Sequence, residues 1–244
     1  MSRKMMVLIL ASMVAVVLSA AATAFAASPG HNNHSVKGTL GKGDLGNNKD
    51  FAGLVNIGGH RKMYMRCQGK GSSTVVFVSG AGDRSDRWSQ KLDPSKQAVL
   101  PAIAETNRVC AYDRPGTYTL VGEGDDFKPS RSDPVPQPTT LEDGVADLHA
   151  LLRASGERGP YVVVGHSMGG AISSLYASRY PQDVSGLVLI DYTPYEARTA
   201  LTDREWGLWK VILGKPSEEA LRLYPDVEWF DHQKTSDRHW PPML

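Results

Sequence analysis

Residues 161–170, Tyr-Val-Val-Val-Gly-His-Ser-Met-Gly-Gly, constrain the fold more than any other stretch of the chain. Residues that favour β-strands lead into Gly165-x-Ser167-x-Gly169, and small and apolar residues follow from Ala171. The pattern predicts a strand, a sharp turn and a helix with Ser167 at the apex, because flanking glycines let the chain reverse without steric clash. Free N–H groups at the start of such a helix can hold a developing oxyanion. The alternative is a glycine-rich turn whose serine has no chemical role.

The composition is typical of one globular domain. The chain has 244 residues, of which 41% are hydrophobic and 22% are charged, so it can bury a sizeable core. Its formal net charge is +1 at pH 7. Such a balance provides neither a basic field for nucleic acid nor an acidic tail, so we expect no charged polymer as partner.

The N-terminus has the pattern of a secretory signal peptide over residues 1–26. Arg3 and Lys4 precede an uncharged apolar stretch, and Ala24-Phe25-Ala26 supplies a cleavage site of small residues. The alternative is an uncleaved membrane anchor, because the stretch is just long enough to span a bilayer. Residues 27–50 are rich in Gly, Asn, His and Lys and predict a flexible leader. We therefore expect a secreted protein that contacts membrane only through an uncleaved signal segment.

Strands and helices alternate along residues 51–194, which predicts that these residues form the α/β core of the chain. Apolar runs predict strands, the later ones of the buried type, at residues 53–57, 61–67, 74–79, 108–112, 161–164 and 186–190. Thr139 and Glu142 have the spacing of a capping box and predict a helix over residues 139–154. Its apolar stripe would be Leu141, Val145, Leu148 and Leu152.

The predicted fold class is α/β, with a doubly wound, mostly parallel sheet. Ligands of such sheets bind beyond the carboxyl ends of the strands. Four segments follow strands in this way, and we expect them to meet at one site: residues 80–83, residues 113–116, Ser167 and Asp191.

On the elbow at Ser167, the glycine turn at residues 79–82 and the Asp-Arg-Pro-Gly turn at residues 113–116, the chain resembles the α/β-hydrolases. More narrowly, it is similar to secreted actinobacterial members of that superfamily. The resemblance implies the strand order 1-2-4-3-5-6-7-8 with the second strand antiparallel. It also implies that Ser167 is the nucleophile and that the N–H groups of Ala81 and Met168 form the oxyanion hole. Many relatives have His-Gly at this turn where this chain has Ser79-Gly80, a change that leaves the backbone donors intact.

The same strand order implies a disulfide. Cys67 ends the second predicted strand and Cys110 lies in the fourth, and the family order makes these strands neighbours. In an exported chain, two cysteines on adjacent strands favour one bond between them. The alternative is a pair of buried free thiols.

The resemblance further implies an acid and a histidine that follow strands seven and eight. After Asp191, however, the chain has no further apolar run of the strand type. We expect residues 195–244 to form a partial helical cap, strands seven and eight to be missing, and the chain to be truncated before the strands that carry the acid and the histidine. Asp191 is then the candidate acid, and His232 and His239 are the candidate bases.

The sequence therefore predicts a secreted serine hydrolase that cleaves carboxylic esters through an acyl-Ser167 intermediate. The alternative is a truncated, catalytically incomplete hydrolase or a non-catalytic binding relic. The expected partner is a small-molecule ester or a related acyl substrate. No metal and no nucleotide cofactor is implied, because the chain has neither a clustered His, Cys and Asp ligand set nor a phosphate loop.

Overall fold

The computed structural model describes residues 39–40, 49–121, 126–192, 202–205, 208 and 228. The β-strands in this part of the chain are β1 (Thr39–Leu40), β2 (Phe51–Gly58), β3 (Arg61–Gln68), β4 (Thr74–Val78), β5 (Arg108–Tyr112), β6 (Tyr118–Val121), β7 (Asp126–Pro129), β8 (Tyr161–His166) and β9 (Val184–Ile190). The α-helices with both ends described are α1 (Val99–Ala104), α2 (Leu141–Ser155) and α3 (Met168–Arg179). Short 3-10 helices occupy Ser85–Ser89 and Pro181–Asp183.

One seven-stranded sheet has the spatial order β1-β2-β3-β5-β4-β8-β9, and β6 pairs with β7 in a separate two-stranded sheet. Strand β3 is antiparallel to β2 and β5, whereas β4 is parallel to β5 and β8, and β8 is parallel to β9. From β2 to β9 this is the order 1-2-4-3-5-6 with an antiparallel second strand. The predicted fold class is therefore confirmed.

The two faces of the sheet pack against different helices, because successive residues of a strand point to opposite sides. Val76 of β4 faces a core that contains Leu148 of α2 and Ile172 of α3. Its neighbour Phe77 faces the opposite core, where the Trp88 ring lies 4.5 Å away between ring centroids. Every residue of β4 and β5 is buried, as continuous apolar runs predict for strands covered on both faces.

Helix α2 has its N-cap one residue later than predicted. Thr140 is the cap: its Oγ1 accepts the Asp143 N–H at 3.1 Å, and the Asp143 carboxylate accepts the Thr140 N–H at 2.8 Å. The predicted pair, Thr139 and Glu142, is therefore wrong. It has the same capping-box spacing as Thr140 and Asp143, so spacing alone does not separate the two pairs, and the packing of the helix selects between them. The predicted apolar stripe is buried over Leu141, Val145, Leu148 and Leu152.

Strand β9 is less buried than its apolar sequence predicts. None of its residues is buried, and Val188 and Ile190 are 45% and 40% exposed. Among the described residues β9 pairs only with β8, so it forms an edge of the sheet, where less of the protein covers it. The prediction of a buried strand at residues 186–190 is corrected accordingly.

Cys67 and Cys110 lie directly opposite each other in the β3–β5 pair. Their Cα atoms are 4.1 Å apart, and their sulphur atoms are joined at 2.08 Å. Both side chains are buried. The structure thus contains the cysteine pair that the family strand order implied.

The two ends of the chain lie mostly outside the described residues. The predicted signal peptide, residues 1–26, is not among them, and residues 202–205, 208 and 228 are all that is described of the predicted cap. Within the predicted leader, Thr39–Leu40 pairs in parallel with β2. All the described residues except Val121 and Asp126 belong to one compact unit. No helix described here combines the length and apolar character needed to cross a membrane.

Candidate active site

The elbow between β8 and α3 holds Ser167 in an unusual backbone conformation. Its φ is 50° and its ψ is −120°, and its side chain is exposed. Non-glycine residues rarely adopt a positive φ, and such strained residues concentrate at functional sites. The Ser167 N–H donates to the Ile190 carbonyl at 3.0 Å, and the Ser167 carbonyl accepts the Gly170 N–H at 2.9 Å. The backbone of the serine is therefore held from both sides while its hydroxyl faces solvent.

The glycines of the Gly-x-Ser-x-Gly pattern are required by close packing. A Cβ on Gly165 would lie 2.5 Å from the Gly169 carbonyl oxygen and 2.5 Å from Ser173 Oγ. A Cβ on Gly169 would overlap the carbonyl groups of Val78 and Ser79 at the end of β4. These contacts bring α3 against β4 and β8, which places its first turn beside the serine.

The turn after β4 lies next to the elbow. A Cβ on Gly80 would be 3.5 Å from Ser167 Cβ, so the two segments are in van der Waals contact. In this turn the Gly82 N–H donates to Glu228 Oε2 at 2.9 Å, and the Asp83 N–H donates to the Gly80 carbonyl at 3.2 Å. The Ala81 N–H between them has no acceptor among the described residues.

Met168 supplies a second free donor. It is the first residue of α3, where helical geometry leaves the N–H groups of the first turn without intrahelical acceptors. The positive end of the helix dipole adds to the attraction for negative charge at this point. The predicted oxyanion-hole residues Ala81 and Met168 thus flank Ser167 and carry unpaired N–H groups within the described part of the chain.

Ser79 is the first residue of the turn after β4. Its Oγ accepts the Trp88 Nε1–H at 2.8 Å and donates to the Arg84 carbonyl at 3.3 Å. Both side chains, Ser79 and Trp88, are buried. The serine hydroxyl therefore anchors the start of the turn at residues 79–82. We name this the oxyanion turn after the predicted role of the Ala81 N–H, and the Ser79 side chain is not part of the predicted oxyanion hole.

A buried ion pair lies beneath the same turn. Arg114 Nε donates to Glu228 Oε1 at 2.6 Å, and the two side chains are 3% and 2% exposed. Two further guanidinium N–H groups donate to the carbonyls of Ser79 at 2.7 Å and Gly80 at 2.6 Å. Burial alone would lower the pKa of Arg114, but the adjacent Glu228 carboxylate raises it, so the guanidinium remains charged.

Asp113, which precedes Arg114, is the centre of a second polar cluster. Its carboxylate accepts the Ser85 N–H at 3.0 Å, the Ser85 hydroxyl at 2.7 Å and the Arg131 Nε–H at 2.7 Å. Burial would raise the pKa of Asp113, but the hydrogen bonds and positive charge of Arg131, with the bonds from Ser85, lower it below its ordinary value. Asp113 is thus a charged anchor for the strand end, with its oxygens turned toward these partners.

The described histidines differ in their relation to the elbow. The Nδ1 of His166 would lie 2.9 Å from a Cβ on Gly80, so its ring packs against the oxyanion turn. His149 Nδ1 lies 3.7 Å from Asp183 Oδ2. Asp183 directly precedes β9, so it lies at the amino end of the parallel strands, whereas Ser167 follows the carboxyl end of β8. His60 adjoins β3, which is separated from β8 by β5 and β4. Among the described residues, Ser167 Oγ has no hydrogen-bond partner.

The predicted acid lies among the described residues, whereas the two predicted bases do not. Asp191 follows Ile190, the residue bonded to the Ser167 backbone, and has a φ of 48°. Its side chain is exposed, and its role as acid stays a prediction. His232 and His239 lie outside the described residues, so their role as base also stays a prediction.

Within the described part of the chain, one group of ligand-type atoms is close enough to suggest a metal site: Cys67, Cys110 and Glu157. Both cysteines belong to the disulfide, so their sulphurs are not thiolates. Glu157 accepts a hydrogen bond from Arg108 Nη2 at 2.7 Å. This group is therefore a structural cluster.

Sequence reasoning missed the supports of the oxyanion turn. Arg114 stands in the Asp-Arg-Pro-Gly turn, which we placed at the site without assigning it a role. Trp88 and Glu228 belong to no sequence motif, and Glu228 lies 114 residues after Arg114 in the chain. A local pattern could have indicated Arg114, but no pattern in the sequence points to Glu228.

The model of the alpha/beta hydrolase family matches residues 75–244, which is more than half of the chain. This match agrees with the strand order and with the strand–turn–helix geometry at Ser167. The chain belongs to the alpha/beta hydrolase family.

Individual relatives are similar over parts of their length. The chain is 42% identical over 110 residues to Lipase 1 of Psychrobacter immobilis, covering 44% of this chain and 33% of the lipase. It is 31% identical over 121 residues to RutD of Cronobacter turicensis, a candidate carbamate hydrolase, covering 50% of this chain and 38% of that protein. The crystal structure of a candidate acyltransferase from Salmonella enterica has a TM-score of 0.54 at 21% identity, covering 76% of this chain and 57% of that one. This last likeness shows the fold alone.

The chain spans between 25% and 41% of the length of the first curated relatives that it matches. The relatives therefore contain further residues beyond the part that matches this chain.

Proposed function

We propose that this protein is a serine hydrolase that cleaves carboxylic esters through an acyl-Ser167 intermediate. The observation that carries the proposal is the exposed Ser167 at a positive-φ elbow, flanked by the free N–H groups of Ala81 and Met168. An exposed serine with hydrogen-bond donors beside it is the arrangement that nucleophilic acyl transfer uses to stabilise its oxyanion. The family match and the similarity to a lipase support the same chemistry.

In the proposed reaction, Ser167 Oγ attacks the ester carbonyl carbon while its proton passes to a general base. The carbonyl oxygen becomes an oxyanion, which accepts hydrogen bonds from Ala81 and Met168. The C–O bond to the alcohol then breaks, and the base returns the proton to the departing alcohol. Water then attacks the acyl carbon while the base takes its proton, and the oxyanion forms again. The bond to Ser167 Oγ breaks as the base returns the proton to it, which releases the carboxylic acid and restores the serine.

The base in this proposal is a histidine, for which His232 and His239 are the candidates because both follow the nucleophile. Asp191 is the proposed orienting acid. Its support is its position directly after Ile190, whose carbonyl accepts the Ser167 N–H at 3.0 Å. A carboxylate in that position can hold a histidine in the tautomer that accepts the serine proton.

The first test is labelling of the purified chain with a fluorophosphonate probe, beside a Ser167→Ala control. The probe reacts with a serine only when a base activates it, so we expect labelling of the parent and none of the variant. A folded parent that stays unlabelled would overturn the proposal.

A second test locates the base and the acid with p-nitrophenyl acetate as substrate. We expect His232→Ala or His239→Ala to lower kcat by at least about 10³-fold, as in other triad knock-outs, and Asp191→Asn to lower it less. His149→Ala is the matched control, since that histidine lies beside Asp183, at the end of the strands opposite to Ser167. Equal activity in all four variants would contradict the assigned roles.

A second candidate function is a catalytically incomplete hydrolase that binds acyl compounds without turnover. It rests on the free N–H groups of Ala81 and Met168, which can hold an acyl oxygen without any base. Under this alternative, a trifluoromethyl ketone would bind reversibly at the elbow while the ester stays intact. Calorimetric titration beside the esterase assay distinguishes the two.

We further propose that the protein is secreted after cleavage behind Ala26. The support is the pattern of Arg3, Lys4, the apolar stretch and Ala24-Phe25-Ala26. N-terminal sequencing of protein collected from the medium should begin at Ala27. Retention in the membrane fraction with an intact N-terminus would favour an anchor instead.

A further inference from the structure

We propose that the Arg114–Glu228 ion pair positions the oxyanion turn, so that Ala81 N–H points at the reacting carbonyl, a role that rests on the proposed serine-hydrolase chemistry. Neither residue touches the acyl group in this proposal. They act through the backbone of residues 79–82.

Arg114 holds the peptide group that contains the catalytic donor. Its Nη2 donates to the Gly80 carbonyl at 2.6 Å, and its Nη1 donates to the Ser79 carbonyl at 2.7 Å. The Gly80 carbonyl and the Ala81 N–H belong to one planar trans peptide group, in which they point in opposite directions. A guanidinium that fixes the carbonyl therefore also fixes the direction of the Ala81 N–H.

Glu228 holds the next peptide group. Its Oε2 accepts the Gly82 N–H at 2.9 Å and Arg114 Nη2 at 2.9 Å, and its Oε1 accepts Arg114 Nε at 2.6 Å. Its own N–H donates to the Gly116 carbonyl at 2.8 Å. Both peptide groups that flank Ala81 are thus bound to the ion pair, and the pair is bound to the turn after β5.

Burial makes this arrangement rigid. The side chains of Arg114 and Glu228 are 3% and 2% exposed, so water does not compete for their hydrogen bonds. Donors held in place before the reaction stabilise the oxyanion without the cost of reordering them. Lysine in place of Arg114 keeps the charge but lacks the planar fork that reaches two carbonyls and a carboxylate together.

The matched control is Arg108, another buried arginine in an ion pair. Its Nη2 donates to Glu157 Oε1 at 2.7 Å, and it also donates to the carbonyls of Gly69 and Lys49. Arg108 begins β5, whereas Arg114 follows the last residue of β5, so the two arginines lie at opposite ends of the strand. Arg108→Lys thus disturbs a similar buried pair away from the elbow.

The test compares Arg114→Lys, Glu228→Gln and Arg108→Lys in the full chain. One readout is kcat and KM with p-nitrophenyl acetate, and the other is hydrogen exchange of the Gly82 and Asp83 amides, which are the hydrogen-bonded amides of the turn. We expect Arg114→Lys to lower kcat about 10- to 100-fold with KM changed less than about threefold, because removing a whole oxyanion donor costs about 10²–10³-fold. We also expect exchange of the Gly82 and Asp83 amides to become at least about tenfold faster, corresponding to about 1.4 kcal/mol of lost protection. Arg108→Lys should change neither.

Several results would overturn the proposal. Parent-like kcat and exchange in both Arg114→Lys and Glu228→Gln would do so, as would an equal loss of kcat in Arg108→Lys. If Arg114→Lys does not fold, Glu228→Gln decides. It keeps an acceptor for the Gly82 N–H but removes the charge that holds Arg114, so we expect kcat and exchange to change in the same directions. If the parent has no Ser167-dependent turnover, the proposed function fails, and the exchange rates alone decide whether the pair orders the turn.

Discussion

The backbone N–H of Ser167 donates to the carbonyl of Ile190 at 3.0 Å. This bond extends the β8–β9 ladder one residue past His166, the last residue of β8. The proposed nucleophile is therefore tied to β9, which is an edge strand of the sheet among the described residues. Asp191, the next residue, is brought to the same edge as a consequence.

The strained backbone of Ser167 predicts that glycine is favoured at this position. We expect Ser167→Gly to be about 1 kcal/mol more stable than Ser167→Ala, because a φ of 50° with a ψ of −120° is costly for any residue with a Cβ. Both variants lack the hydroxyl, so the comparison isolates the backbone term. Urea unfolding gives the two free energies, and equal values would show that the elbow is relaxed.

The close packing of Gly169 predicts that alanine disrupts the elbow. In Gly169→Ala the new Cβ would overlap the carbonyls of Val78 and Ser79, so α3 must move away from β4. We expect a loss of about 3 kcal/mol and no fluorophosphonate labelling. The control is Gly186→Ala, whose nearest neighbour would be 3.6 Å away, in ordinary contact. Labelling of both variants at the parent rate would contradict the prediction.

The buried Asp113 predicts acid sensitivity. Its pKa is lowered in the folded protein, so its contribution to stability is fully present above its unfolded pKa of about 3.9 and is lost as the pH falls through the lower folded pKa. We expect Asp113→Asn to lose about 3 kcal/mol at pH 7, since Arg131 and Ser85 lose a charged partner, and the difference from the parent to shrink below about pH 4.

The measurement is urea unfolding of parent and variant between pH 2 and pH 8. Asp50→Asn serves as the control, because Asp50 is exposed and asparagine keeps the acceptor for the Gly69 N–H. A difference between parent and Asp113→Asn that stays constant over the whole range would contradict the assignment.

The disulfide predicts a large effect of reduction. It closes a loop with a sequence separation of 43, for which chain entropy gives a stabilisation of about 4 kcal/mol. We expect the double variant Cys67→Ala/Cys110→Ala to unfold at lower urea, and dithiothreitol to destabilise the parent but not the variant. Reductant-independent unfolding of the parent would show that the sulphurs are not bonded in solution.

Local patterns predict the structure correctly where several neighbouring residues favour the same element. The strands at β4 and β5 follow from continuous apolar runs, and the elbow follows from glycines that only one kind of turn requires. Errors occurred where the pattern was ambiguous. Thr139 and Thr140 both precede an acidic residue at capping distance, and the apolar run of β9 does not reveal how much of the protein covers it.

Local sequence patterns are sufficient to predict the α/β class, the position of Ser167 between a strand and a helix, and the glycines that its turn needs. These properties depend on neighbouring residues, so their signals are contiguous in the chain. The contacts of Arg114 with Glu228 beneath the oxyanion turn, and of Asp113 with Arg131, exist only in the folded chain. Burying a charge is costly unless an opposite charge and hydrogen bonds meet it, and which charges meet depends on the path of the folded chain rather than on any local pattern.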